Sequence, residues 1–241
     1  EILNIFVMLK CEIVMKRKIV ILSGAGISAE SGIKTFRDSN GLWEEYRVED
    51  VASIDGWYRN PEIVQEFYNQ RRVQLSTVEP NRAHKLIAQL ERENDVVVIT
   101  QNVDNLHERA GSSRIIHLHG ELTKITPEDK NGDVYDIGYQ QIKMGDCDSR
   151  GVQLRPYIVW FGEDVPEINR AAEEVATADI LLIIGTSLNV YPAAGLIYYA
   201  KKDAQIYLID PNDVNVRLAN VVHIKENATS GMEKFIEQVS A

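Results

Sequence analysis

Six apolar runs punctuate the chain, at 19–23, 96–100, 115–118, 180–184, 206–209 and 221–224. Most are rich in Val and Ile and show no alternation of polar and apolar positions, the pattern of strands buried on both faces. Between several of them the apolar positions recur at helical spacing. Ala83, Leu86, Ile87 and Leu90 share one face, Ala172, Val175 and Ala176 another, and Met232, Phe235, Ile236 and Val239 a third. Strands alternating with helices predict an α/β fold, a doubly wound parallel sheet with right-handed crossovers.

Two stretches break the alternation. Residues 39–78 read as loop plus helix. Residues 120–154 are punctuated by Gly and Asp, with short alternating runs such as Asp133-Val134-Tyr135-Asp136-Ile137. These two insertions predict a smaller lobe over the sheet, leaving the core to about 18–38, 79–119 and 155–241. Ligands in such folds sit at the carboxyl ends of the strands, so the cleft between lobe and sheet is the expected site. In the first insertion Asn60-Pro61 opens a helix, Asn as its cap and Pro in its first turn. Ile63, Val64, Phe67 and Leu75 mark the buried stripe, and Tyr68 and Arg71 fall on it side by side. A cation there needs a partner. It is either an internal carboxylate or a snorkelling stem, or else an anionic ligand gripped by guanidinium and phenol together.

The turn after the first run has the most local chemistry. Gly24-Ala25-Gly26-Ile27-Ser28-Ala29 follows a buried strand and opens a helix. Gly24 allows the turn, Gly26 lets a pyrophosphate approach the backbone, and Ala29 fits where a small residue packs helix on strand. The helix N-terminus then presents free N–H groups to an anion. A dehydrogenase would show a second strand and an acid about 20 positions on. Here Phe36-Arg37-Asp38-Ser39-Asn40-Gly41-Leu42-Trp43 runs instead as a polar, aromatic loop, the kind that forms lids.

Polar residues gather where other apolar runs end: Thr100-Gln101-Asn102-Val103-Asp104, Ile116-His117-Leu118-His119-Gly120 and Gly185-Thr186-Ser187-Leu188-Asn189. Each alone reads equally as helix capping; three on one sheet with a glycine cradle point to a site. Of the five histidines, His119 leaves a strand just before Gly120 and is placed to exchange a proton near neutral pH. His117 projects on the same side, as a supporting partner or as core.

Composition narrows the partners. The 241 residues carry a net charge of −10 with 44 % hydrophobic residues, which argues against binding nucleic acid by phosphate neutralisation. An acidic surface would attract a lysine-rich peptide. Two cysteines, Cys11 and Cys147, make neither a disulfide framework nor a four-sulfur zinc site, and suit a reducing compartment. No stretch approaches the roughly 20 apolar residues of a membrane span. The apolar segment 2–9 lacks the basic start of a signal peptide. A cytoplasmic monomer is expected, with 1–14 as an upstream extension of a single domain over 15–241.

The motifs together resemble those of the sirtuins, the NAD-dependent protein lysine deacylases. The matching elements are Gly24-Ala25-Gly26-Ile27-Ser28, Phe36-Arg37, Thr100-Gln101-Asn102-Val103-Asp104, His119-Gly120, Arg155-Pro156-Tyr157-Ile158-Val159-Trp160-Phe161-Gly162-Glu163 and Gly185-Thr186-Ser187-Leu188, in the family's order from Lys18 onward. Phe67-Tyr68-Asn69-Gln70-Arg71-Arg72 resembles the branch that removes succinyl and malonyl groups.

The resemblance implies a Rossmann-like core and an NAD site. Gly24, Ala25, Gly26 and Ser28 would hold the pyrophosphate turn, and Phe36 and Arg37 would close over the nicotinamide ribose. Gln101, Asn102 and Asp104 would meet ribose and nicotinamide, and Gly185, Thr186, Ser187, Asn212 and Ala228 the adenosine half. It implies that the acyl oxygen attacks the ribose, that nicotinamide leaves, and that His119, with Asn102, completes transfer to O-acyl-ADP-ribose. Tyr68 and Arg71 would bind the acyl group, and Val159, Phe161, Gly162 and Glu163 the peptide as an added strand. Mono-ADP-ribosyl transfer, or a non-catalytic NAD-binding module, is the alternative.

One departure is plain. The two Cys-x-x-Cys pairs of most sirtuins are absent, only Cys147 lying in that interval. No zinc is therefore expected. The lobe would be held instead by Val134, Tyr135, Ile137, Tyr139, Ile142 and Met144.

Overall fold

All six apolar runs form strands, and they join in one parallel sheet. The structure is a computed structural model describing residues 16–33, 42, 43, 46–216, 218 and 220–240, with only the backbone at 42 and 43. The expected extension 1–14 and two predicted cofactor residues, Phe36 and Arg37, lie outside the described residues. The strands are β1 (Lys18–Ser23), β2 (Leu42–Trp43), β3 (Tyr46–Arg47), β4 (Asp95–Thr100), β5 (Ile115–His117), β6 (Gly120–Pro127), β7 (Tyr135–Asp136), β8 (Leu154–Ile158), β9 (Ile180–Ile184), β10 (Gln205–Ile209) and β11 (Val221–Ile224). The helices are α1 (Val48–Val51), α2 (Ile54–Arg59), α3 (Pro61–Thr77), α4 (Arg82–Leu90), α5 (Leu106–Ala110), α6 (Ile168–Ala176) and α7 (Ala228–Ser240).

The large sheet has the order β11-β10-β9-β1-β4-β5. Ser23 pairs with Thr100 on one side and with Ile184 on the other, so three carboxyl ends finish level. From β1 the chain steps outward through β4 and β5, then returns to build β9, β10 and β11 on the other side. The crevice between the loops after β1 and β9 is thus the switch point where such sheets bind ligands.

Side chains of β1 alternate between two cores. Ile19 and Ile21 meet α4 and α7 on one face; Val20 and Leu22 meet α6 and the 3₁₀ segment Ala193–Tyr199 on the other. With apolar cover on both faces, every position in the strand must be apolar, which is why the run lacks alternation. The predicted stripes of α4 and α7 face this core, with Ile236 only partly buried. On α6 the stripe is shifted: Ala171 and Val175 are buried while Ala176 is exposed. Among the described residues no helix is long and apolar enough to cross a membrane.

The smaller lobe combines α1–α3 with an antiparallel sheet of order β7-β6-β8. The expected boundary at 155 falls inside β8, which pairs with β6 through Ile158. The expected lobe core is not what holds it. Of the six residues Ile142 alone is buried; Ile137 and Tyr139 are partly covered, and Val134, Tyr135 and Met144 are exposed. β7 has only two residues, too short to offer an apolar face.

A different apolar cluster, with Val51, Trp57, Phe67, Leu122, Ile158 and Trp160 among its members, packs α1–α3 on β6 and β8, and polar clasps from α3 add to it. The Asn69 carboxamide donates to the Ile142 carbonyl (2.8 Å) and accepts from the Ile142 N–H (3.1 Å), as a neighbouring strand would. Arg72, fully buried, donates from Nε to the Leu122 carbonyl (2.8 Å) and from Nη1 to Asn69 Oδ1 (2.9 Å). Burial lowers its pKa to about 10, with Tyr68 opposing. Ile63, expected on the α3 stripe, sits in the first turn and is exposed.

Candidate active site

The glycine turn after β1 is locked onto the turn after β9. The Gly24 N–H donates to the Ile184 carbonyl (3.0 Å) and the Gly26 N–H to the Gly185 carbonyl (2.8 Å). A Cβ added to Gly26 would stand 2.7 Å from Gly185 Cα, and one on Gly185, at φ +63°, would stand 2.3 Å from Ile27 N. Backbone packs on backbone here, so Gly26 is required by its neighbour as well as by any ligand. Ala29 does not pack helix on strand as expected: it is exposed, and Ile27 and Ser28 point inward. The segment that follows is a 3₁₀ helix, Ala25–Ser31. The helix is short, and the Gly24 and Gly26 N–H groups are already given to Ile184 and Gly185, so the turn offers an anion fewer donors than the start of an α-helix would.

Side chains from three strand ends then knit together. Ser28 Oγ donates to Asp104 Oδ2 (2.9 Å) and accepts from Asn102 Nδ2 (3.1 Å). Burial raises the Asp104 pKa, against the hydrogen bonds from Leu106 N–H and Ser28. Gln101 Nε2 donates to Thr186 Oγ1 (3.0 Å), bridging the ends of β4 and β9.

A buried chain supports the cradle from behind. His107 Nε2 meets Ser23 Oγ at 3.0 Å, and the His107 ring packs edge-on against His84. His84 Nδ1 meets Asn81 Oδ1 at 3.1 Å, and Asn81 Nδ2 donates to the Ile27 carbonyl (2.7 Å). Burial keeps both imidazoles neutral, pushing His84 down to about 4. The network thus grips the cradle both before and after its glycines.

His119 sits 3.0 Å, through Nδ1, from the Gln101 carbonyl. A carbonyl only accepts, so Nδ1 carries the proton and Nε2 is left as an acceptor. Gly120 after it, at φ +81°, lies so close to β8 that a Cβ would stand 2.1 Å from the Tyr157 carbonyl oxygen. The Val159 N–H in turn donates to the His119 carbonyl (2.9 Å). Burial lowers the His119 pKa below 6.5, the Gln101 bond opposing. The ring is therefore neutral through the neutral range, and with His119 as the base activity is expected to fall as pH drops through that lowered pKa. The acid limb of kcat/KM, followed between about pH 5 and 8, is expected below 6.5; a limb at or above 6.5 would contradict the assignment. Of the two readings of His117, support holds. Its Nδ1 lies 3.1 Å from the Asn102 carbonyl and its Nε2 2.6 Å from Glu108 Oε1. Burial disfavours its charged form, but Glu108 outweighs this and the pKa is raised.

On the lobe side Tyr68 is buried and its hydroxyl accepts from Trp160 Nε1 (2.9 Å). Burial raises its pKa, so it stays a phenol. The Arg71 guanidinium lies 5.2 Å from the Phe67 ring centroid and borders the cavity. Glu163 is clamped by Arg155 in a two-pronged pair (2.8 and 3.0 Å), by the Trp160 N–H (2.9 Å) and by Lys130 (2.9 Å). Burial works against that charge, but Arg155 prevails and the Glu163 pKa is lowered. The Phe161 N–H donates to the Ala52 carbonyl (2.9 Å) and its carbonyl accepts from the Ile54 N–H (3.0 Å). A peptide strand laid along 159–163 must therefore use the segment's other backbone groups.

One cavity of about 990 Å³ joins these parts. It is lined by Gly24, Ala25, Gly26, Ser28, Tyr68, Arg71, Gln101, Asn102, Asp104, His119, Val159, Phe161, Gly162, Glu163, Gly185, Thr186, Ser187, Asn212 and Ala228. Every predicted site residue within the described residues is brought together there. The volume suits a dinucleotide beside a side chain, and the cradle, the Ser28–Asn102–Asp104 cluster and Gln101–Thr186 supply donors and acceptors along it.

Sequence reasoning missed the Arg72–Asn69 clasp and the Arg155–Glu163 pair. Arg72 was findable, lying four residues after Tyr68 on the buried stripe. Nothing in local spacing flags the Arg155 pair as buried. It also missed Asp210, which borders the cavity from the end of β10 and whose Oδ1 accepts from the Asn212 N–H (2.8 Å).

Residues 24–192 match the Sir2 family. An NAD-dependent protein deacylase of Bacteroides thetaiotaomicron is 54 % identical over 228 residues, covering 91 % of this chain and 96 % of that one. A crystal structure of a Sir2 homologue in complex with NAD superposes with TM-score 0.84 at 38 % identity, covering 93 % of this chain and 90 % of the other. A Sir2 complex with a deacetylated p53 peptide and 3′-O-acetyl ADP-ribose gives TM-score 0.79 at 30 % identity, covering 92 % and 94 %.

Proposed function

The chain belongs to the Sir2 family, and on that premise we propose that it strips succinyl and malonyl as well as acetyl groups from protein lysines, releasing nicotinamide and O-acyl-ADP-ribose. Its activity is that of an NAD-dependent protein deacylase. One observation carries the reading: the imidazole of His119 and the glycine cradle border the same cavity.

NAD bound along the cradle would supply a ribose carbon open to the acyl oxygen as nicotinamide departs, and a ribose hydroxyl that carries the acyl group away. The chain's own residues do the rest. The glycine turn would lie against the pyrophosphate, and Ser28, behind it, would hold Asn102 and Asp104 in place. Asn102 and Asp104, tied through Ser28, present a carboxamide and a carboxyl that cannot rotate freely. His119 takes a proton at Nε2, its ring held by the Gln101 carbonyl at the other nitrogen. Tyr68, Trp160 and Leu122 wall an apolar channel that excludes water from the acyl-lysine.

The acyl preference rests on Arg71 beside Tyr68 in that channel. A guanidinium matches a terminal carboxylate and offers nothing to acetyl. Arg71→Met is expected to lower desuccinylation about 10- to 100-fold, the worth of a charge-assisted pair, and deacetylation by less than about twofold. Acetyl-, malonyl- and succinyl-lysine peptides assayed with and without NAD give the comparison. Equal loss on all three would make Arg71 structural; a peptide-dependent product other than acylated ADP-ribose would sink the deacylase reading itself.

A further inference from the structure

We propose that Glu108, His117 and Glu121 form an exchangeable site for a divalent transition-metal ion, of the Zn²⁺ class, at the end of the edge strand β5 and outside the lining of the main cavity. Among the described residues they are the one group of three metal-ligating side chains whose donor atoms lie together, all within 4.8 Å of one another. They come from three elements, α5, β5 and β6, so the fold rather than a local motif assembles them.

The imidazole is arranged as a ligand should be. His117 Nδ1 faces the Asn102 carbonyl at 3.1 Å and must carry the proton there. Nε2 is thereby turned towards the two carboxylates and donates to Glu108 Oε1 at 2.6 Å; a metal takes the place of that proton, which is released to solvent. Metal-bound histidines are usually oriented by such a bond from the other ring nitrogen to a carbonyl. The imidazole is nine-tenths buried and fixed, while Glu108 and Glu121 are about 38 % and 22 % exposed and leave an entry from solvent. Tetrahedral ligands about a zinc-sized ion stand roughly 3.4 Å apart, within reach of modest rotation of the two carboxylates.

One nitrogen and two carboxylates, with a position left for water, is a set that binds Zn²⁺ and Co²⁺ and does not favour Mg²⁺. The two negative charges neutralise the ion. Lys124, which pairs with Glu121 at 2.7 Å, must swing aside, so the site competes with that pair and is exchangeable. The ion would lie one hydrogen bond from the Asn102 backbone, so its occupancy is read at the catalytic loop. The site is distinct from the cysteine-held zinc of most sirtuins, and it departs from the expectation of a chain without metal.

Cobalt titration of the whole chain, read by its visible d–d bands, tests this without turnover. One saturable equivalent is expected, displaced by Zn²⁺ and not by Mg²⁺. His117→Asn should abolish the bands and Glu121→Gln weaken binding at least about tenfold, while His119→Ala and Cys147→Ser leave it unchanged. Should His117→Asn fail to fold by circular dichroism, the rim variant Glu121→Gln decides alone. Bands that persist unchanged in the ligand variants, that vanish with His119→Ala or Cys147→Ser, or that never saturate overturn the proposal.

Discussion

His119→Ala is expected to reduce deacylation by about 10²- to 10⁴-fold, the range that a positioned general base contributes, while the affinity for NAD stays within a few-fold of the parent. The split follows from how the residue is held. The ring bonds to the Gln101 carbonyl and not to the glycine turn, to Ser28 or to Asp104. Removing it leaves the cradle's own ties intact: Gly26 N–H to the Gly185 carbonyl, Ser28 to Asp104, and Gln101 to Thr186. Turnover of an acyl-lysine peptide and NAD binding by calorimetry on the same preparation separate the two effects. Residual turnover within tenfold of the parent would remove His119 from the reaction. Loss of NAD affinity in step with rate would make it a binding residue.

Arg155→Met is expected to cost about 3–5 kcal/mol of folding stability, because it leaves a carboxylate that folding has taken out of water with only the half-exposed Lys130 and the Trp160 N–H as partners. The Arg155 and Glu163 side chains are 1 % and 6 % exposed. Arg155 also donates to the Ile158 carbonyl (2.9 Å), and its guanidinium lies 3.5 Å from the Trp160 ring centroid. Removing it frees one face of Trp160, whose indole N–H orients the Tyr68 hydroxyl, so the acyl-lysine channel should loosen as well. Denaturant melts of the parent, Arg155→Met, Glu163→Leu and the double variant close a thermodynamic cycle. The double variant should recover much of the loss, since a buried pair replaced by apolar groups of similar size is often near neutral. A cost below about 1 kcal/mol for Arg155→Met would mean that water reaches Glu163.

Much of the site was legible before any coordinates, and the reason lies in the sheet. A parallel strand ends in a polar loop, and every such loop opens at the same edge, so Gly24, Asn102, His119 and Thr186 had to meet once six buried strands were recognised. The lobe was less legible, because the apolar residues of 134–144 are not the ones that pack it. Val134, Tyr135 and Met144 face solvent; the apolar packing comes from α1–α3 against Leu122, Ile158 and Trp160, with Asn69 and Arg72 as polar clasps beside it. Ala29 was misplaced for a related reason: a 3₁₀ turn rotates its residues differently from the α-helix that the motif suggested.

The amino-acid order by itself determined the strands, the sheet class and the glycine turn, and singled out His119 as the candidate base, because each depends on periodicity or on neighbours a few residues apart. The tertiary structure alone decided which glycine needs which. Gly26 and Gly185 are far apart in the chain and touch backbone to backbone. It alone decided that the Arg155–Glu163 pair lies in the interior beneath Trp160, and that Glu108, His117 and Glu121 converge from three elements. Burial and long-range partnership arise when separate segments are packed against each other. A polar side chain carries no local mark of whether the groups that will desolvate or satisfy it lie nearby or a hundred residues away.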